Sequence, residues 1–129
     1  MARKRTYDPT IWMPFYIGDT LADTQHLITE EFGALILLRA YYWRNQGPII
    51  DDDQRLATVC RLSIERFGKL KPNLAEFYEI YGDKWKSKEF DALIIEAWGY
   101  KARASERGKK GAEARWGKKR DNDDGGEEP

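Results

Sequence analysis

A chain of 129 residues has room for one domain with tails, and a hydrophobic share of 41% that includes five Trp is enough for a packed core. Its 22 Lys and Arg balance 22 Asp and Glu, so net charge alone points to no polyanion. One Cys excludes an internal disulfide, and the sequence has no run of about eighteen apolar residues and no apolar signal-peptide core, so a cytoplasmic protein is expected.

The charge is unevenly spread. Arg3-Lys4-Arg5 open the chain, and from Lys101 to Arg120 nine Lys or Arg stand against Glu106 and Glu113. From Asp121 onward every charge is acidic. Basic segments suit a polyanion, and an acidic end beside one can shield it or simply keep the protein soluble.

Residues 1–10 read as a flexible basic arm. Ile11 to Ile17 is too apolar to be free, so it is expected against the central helix, with a helical turn at 18–25. His26, the only histidine, has no metal or catalytic set around it and reads as structural. The segment Thr29 to Gln46 is the organising helix: Phe32, Leu35, Ile36, Leu38, Tyr42 and Trp43 recur at helical spacing, Leu37 and Tyr41 widen the apolar surface, and only Arg39 interrupts it. Thr29 is the expected cap, Glu30 and Glu31 suit the positive end of the dipole, and Gly47 suits the left-handed residue that ends the helix before Pro48.

Ile49-Ile50 is a short extended piece. Asp51-Asp52-Asp53 precedes a second helix at about 53–61; an aspartate cap explains the cluster, and no calcium-loop spacing follows. Cys60 falls among apolar residues as a buried small hydrophobe. After a turn at Leu62, Ser63 caps a third helix at about 64–78. Its stripe of Ile64, Phe67, Leu70, Leu74 and Phe77 should face the central helix, leaving Arg66, Lys69 and Asn73 outward, and Pro72 predicts a kink or break. Gly82-Asp83 marks a hairpin in which Lys84, Lys86 and Lys88 share one face and Trp85 takes the other. A last helix starts near Phe90, with Leu93, Ile94, Ala97 and Trp98 toward the core. A basic extension, helical or flexible, covers 101–120, with Gly108, Gly111 and Gly117 lowering its helix propensity, and the acidic tail 121–129 has a disordered composition.

Helix, extended piece, helix, tight turn, helix and hairpin is the order of a winged helix. The fold class expected is therefore mainly α: a winged helix-turn-helix-like domain at 11–100 with a small β-hairpin wing and a C-terminal helix. In that architecture the third helix enters the major groove. Arg66 and Lys69 can read guanine or touch phosphate, Asn73 can read adenine, and Lys84, Lys86 and Lys88 suit a phosphate rail, with Arg107, Lys109, Lys110 and Arg115 adding attraction. The wing lysines also suit a protected edge strand, and winged helices also serve as protein-binding modules. One His, one Cys and no phosphate loop leave no assembled catalytic site, so no enzyme, cofactor or metal is expected.

Several stretches carry a resemblance. Met13 to Asp19, Leu21 to Thr24, His26-Leu27, Thr29-Glu30-Glu31 leading to Tyr42-Trp43-Arg44, Gly47-Pro48, Asp51 to Asp53, Lys71-Pro72 to Phe77, Trp85, Gly108 to Ala112 and Ala114-Arg115-Trp116 together resemble the YdaU-like family of uncharacterised phage and prophage proteins. In that family's pattern a threonine commonly stands at the position of Ile28, and a second domain often follows. The resemblance implies a protein of the bacterial host cell, encoded among phage replication genes and similar to the N-terminal DNA-binding parts of replication initiators. The expected function is binding of duplex DNA in replication initiation. The alternatives are a non-enzymatic adaptor that recruits a helicase loader or other replication protein, and a transcriptional regulator. No membrane partner is implied.

Overall fold

A computed structural model describes residues 9–122, with side chains as far as residue 114. The elements run α1 (Ile17–Asp23), α2 (Thr29–Asn45), β1 (Ile49–Ile50), α3 (Asp53–Val59), α4 (Ile64–Ala75), β2 (Glu79–Tyr81), β3 (Lys84–Lys86) and α5 (Lys88–Asn122). The fold is mainly helical with a three-stranded antiparallel sheet. Strand β3 lies in the middle, pairing Trp85 with Ile49 of β1 and with Ile80 of β2.

α2 supplies the centre of the core. Leu35, Leu38 and Tyr42 are fully buried, with Ala34 and Trp43 nearly so. Leu56 and Ala57 of α3, Phe67, Leu70 and Leu74 of α4, Ile49 and Trp85 of the sheet, and Phe90, Ile94 and Ala97 of α5 close around it. Cys60 sits in this core, and burial pushes its thiol up to about 12, so it is an inert small apolar group. Arg39 is accommodated rather than excluded: its guanidinium lies between the rings of Phe77 and Phe90, 5.5 and 5.4 Å from their centroids.

Several expectations are corrected. Trp98 is not in the core: it is 40% exposed, donates its indole N–H to Gln46 at 2.6 Å and carries Lys101 over its ring. Phe32 and Ile36 are only half-buried, and Ile64, at the first position of α4, is about half exposed. Thr29 is not the cap of α2; that place belongs to Ile28, and Glu31 accepts the Ile28 N–H at 3.0 Å. The left-handed residue after α2 is Gln46 (φ 59°), not Gly47. Its amide side chain donates to the Trp43 carbonyl at 2.6 Å, which helps hold a conformation costly for a residue with a Cβ. α4 runs through Pro72 and stops three residues later, so the lost backbone donor falls in the last turn, where little helix remains to disrupt. Lys88 opens α5 instead of extending the wing, capped by Ser87, whose Oγ accepts the Phe90 N–H at 3.1 Å.

At the N-terminal end the chain is tied down earlier than expected. Pro9 is fully buried, and its carbonyl accepts the Trp43 indole N–H at 2.6 Å. Met13 packs partly against the core, but Ile11, Phe15, Tyr16 and Ile17 are exposed, so only part of this apolar segment lies on the central helix. Arg3-Lys4-Arg5 and residues 123–129 of the acidic tail lie outside the described residues. The basic extension is helical, continuous with α5, and the helix includes Asp121 and Asn122. Ala102, Ala104, Ala112 and Ala114 offset the glycines in helix propensity.

Candidate nucleic-acid interface

The cationic side chains divide into those already paired within the molecule and those facing solvent. α4 holds mostly the first kind. Arg66 donates its Nε–H to Glu30 Oε1 at 2.8 Å, with a second, closer contact from Nη2 to the same oxygen. That contact holds the Glu30 carboxyl below, and the Arg66 guanidinium above, their ordinary ranges. Asn73 donates to Glu31 Oε2 at 2.6 Å, and this bond, with the Ile28 N–H, lowers the buried Glu31 carboxyl. Arg66 and Asn73 remain exposed in part, but both are committed to the first turn of α2, and either would give up its bond to touch a base. Lys69 is exposed with no ion pair among the described residues.

The three aspartates after β1 are likewise resolved. Asp52 caps α3, accepting the N–H groups of Gln54 and Arg55 at 3.0 and 3.2 Å. Asp51 and Asp53 hold Lys71 at 3.2 and 2.6 Å, and the Asp53 bond is the main reason the Lys71 ammonium is raised. Among the described residues no group of three or more His, Cys, Asp or Glu is placed to hold a metal ion. His26 stacks on Phe77 at 6.1 Å and lies 3.9 Å from Glu76.

On the hairpin Trp85 is buried as alternation requires, but the lysines do not form one free rail. Lys84 is exposed and unpaired among the described residues, Lys86 pairs with Asp91 at 3.2 Å, and Lys88 lies 3.7 Å from Glu79. Glu79 also accepts the Tyr81 hydroxyl at 2.7 Å, which lowers its carboxyl. In the extension, Arg107, Lys109 and Lys110 are exposed without ion pairs among the described residues, while the side chain of Arg115 lies outside them. From Ala102 on, every described side chain except those of Ala104 and Ala112 is exposed, and residues 101–122 extend about 33 Å by helical rise.

Exposed cations not singled out by sequence include Arg44 near the end of α2, Arg55 in α3, Arg103 in α5, and Arg61 in the turn between α3 and α4, where it adopts a left-handed backbone (φ 62°). A basic residue in the tight turn of a helix-turn-helix order was the available signal for Arg61; nothing distinguished Arg44 from any arginine at a helix end.

No helix among the described residues is long and apolar enough to cross a membrane. No solved structure matches the chain. Among curated proteins it is similar to the uncharacterized protein YdaU of Escherichia coli (strain K12), 45% identical over 74 residues, which is 57% of this chain and 25% of that protein. The chain thus spans about a quarter of the length of the curated relative it matches. Residues 11–94, from the apolar segment through the first turns of α5, match the family described as "Protein of unknown function (DUF1376)", and the chain belongs to that family.

Proposed function

We propose that the chain is a winged-helix DNA-binding protein of phage or prophage type, acting in replication initiation. Strand β1, between the first two helices of the α2–α3–α4 set, pairs with the near strand of the hairpin, which is how a winged helix ties its wing to its helices. The observation that carries DNA binding is the row of cations on an exposed helix, Arg107, Lys109 and Lys110, which have no ion pair among the described residues and stand beside Glu106 and Glu113. Such a row attracts phosphate independently of sequence. Lys84 at the wing, Lys69 in the middle of α4 and Arg61 in the α3–α4 turn add positions from which a docked domain can touch the backbone. Because Arg66 and Asn73 are occupied by Glu30 and Glu31, α4 contributes more to placement on DNA than to reading bases.

A second reading, the adaptor that recruits a helicase loader or other replication protein, draws support from exposed apolar side chains on the N-terminal side: Phe15, Ile17 and Leu21 are 46%, 64% and 56% exposed. A mobility shift on random and phage-origin duplex at two salt concentrations separates the two. Binding that weakens steeply with salt supports the DNA reading, and no binding at low salt leaves the adaptor.

A further inference from the structure

The N-terminal segment and α5 form a cleft of about 120 Å³ whose walls include the rings of Trp12, Tyr16 and Tyr100 and the carboxylate-bearing Glu96. All three residues keep a third or more of their surface in solvent: 36%, 50% and 40%. Trp12 also borders a second, larger opening, which Arg44 lines from α2. Beyond Tyr100, Arg103, Arg107 and Lys110 follow at helical spacing, so they continue one face of α5 away from the cleft. The Arg103 guanidinium lies 5.9 Å from the Tyr100 ring centroid, which places a cation at the cleft's rim.

We propose that this cleft accepts an unpaired nucleobase, and that the chain grips single-stranded nucleic acid, with Arg44 on one side and the Arg103–Arg107–Lys110 face on the other meeting its phosphates. The inference rests on the nucleic-acid reading above and names the form of nucleic acid. Exposed aromatic rings beside a track of cations are the requirement for single-strand binding: bases stack on the rings while the cations neutralise the backbone. A duplex offers no base faces to such rings, because its bases are stacked on one another.

Glu96 supplies a preference. It has no ion pair or hydrogen bond among the described residues, and it would repel a phosphate placed in the cleft, so the base and not the backbone enters. A carboxylate accepts a hydrogen bond from the amino group of cytosine or adenine; it repels the carbonyl oxygen that thymine carries at the corresponding position. The cleft therefore favours an amino-bearing base over thymine.

Fluorescence anisotropy on the full chain tests this, with labelled oligodeoxycytidine, oligodeoxythymidine and a random duplex as probes. Wild type should bind both single strands and prefer oligodeoxycytidine. Trp12→Leu and Tyr100→Leu should each weaken single-strand binding by about tenfold while leaving duplex affinity and the thermal melt unchanged. Glu96→Gln, at an exposed position and nearly isosteric, should remove the preference for cytosine. Binding of duplex but not single strands would overturn this inference and leave the duplex reading standing; binding of neither would overturn both. Full single-strand affinity in Trp12→Leu and Tyr100→Leu, or an undiminished cytosine preference in Glu96→Gln, would also overturn it.

Discussion

Ile28 stands at the N-cap of α2 with an extended backbone (φ −76°, ψ 165°), but its side chain offers no acceptor to the free N–H groups of the first turn. Half of a capping box is present, because Glu31 accepts the Ile28 N–H at 3.0 Å. Ile28→Thr would supply the other half at a half-exposed position, and a gain of about 0.5–1 kcal/mol in denaturant unfolding is expected; no gain would mean that the lost apolar contact offsets the cap. Tyr42 shows the opposite case, a buried polar group with every partner in place. Its hydroxyl donates to Asp91 at 2.5 Å and accepts the Ser87 N–H at 2.9 Å, joining the last turn of α2 to the start of α5. Tyr42→Phe leaves that buried N–H without its acceptor and should cost about 1–3 kcal/mol by the same measurement. Periodicity in the sequence could show that residue 42 points inward. It could not show that Asp91, far along the chain, would accept its hydrogen bond.

At the scale of elements, α2, α3 and α4 were legible to within three residues at either end, because apolar spacing and the Asp52 and Ser63 caps act locally. What was less legible depends on contacts between elements. Spacing put Trp98 on the core side of α5, but α5 leaves the body of the domain there and Trp98 meets Gln46 at the edge of α2 instead. The same limit applies to the candidate interface. The α4 pattern correctly separated Phe67, Leu70 and Leu74 from Arg66 and Asn73, but it carried no sign that Glu30 and Glu31 of α2 would meet the polar pair. The aromatic cleft was illegible for a similar reason, since Trp12 and Tyr100 come together only when the N-terminal segment folds onto α5. The apolar side of α4 carries its attachment, and Phe67 is its fully buried centre. Phe67→Ala should therefore lower stability by about 3–5 kcal/mol. An unchanged thermal melt would show that α4 is held by its polar contacts to α2 instead.

At the scale of the whole molecule, a net charge of zero conceals two populations of ionised groups with different consequences. The paired ones set the pH range of stability. Hydrogen bonds to Arg66, Asn73 and Tyr81 lower the carboxyls of Glu30, Glu31 and Glu79 from 4.5, so their contribution is present above that value and is lost as pH falls below it. Burial raises the phenols of Tyr42 and Tyr78 above 10.0, so their contribution is complete below that value and is lost as the unfolded chain ionises above it. The buried Cys60 thiol, ordinarily at 9.0, is the first of these groups to ionise in the unfolded chain, so thermal melts should be flattest between about pH 5 and pH 8 and fall on both sides; a melt still rising above pH 10 would contradict the buried thiol and phenols. The unpaired population should govern binding. Neutralising a phosphate releases a condensed counterion, so each true contact adds about 0.9 to the slope of log affinity against log salt. Among the described residues Arg107, Lys109 and Lys110 have no carboxylate to leave, whereas Lys71 is already shared between Asp51 and Asp53. Replacing all three extension cations with Ala should thus weaken binding about equally on every duplex and reduce the slope by up to about 2.7. Lys71→Ala should leave the slope unchanged. If Lys71→Ala shifts the slope and the triple variant does not, the binding face lies on the helix-turn-helix side and the projecting end of α5 is not the anchor.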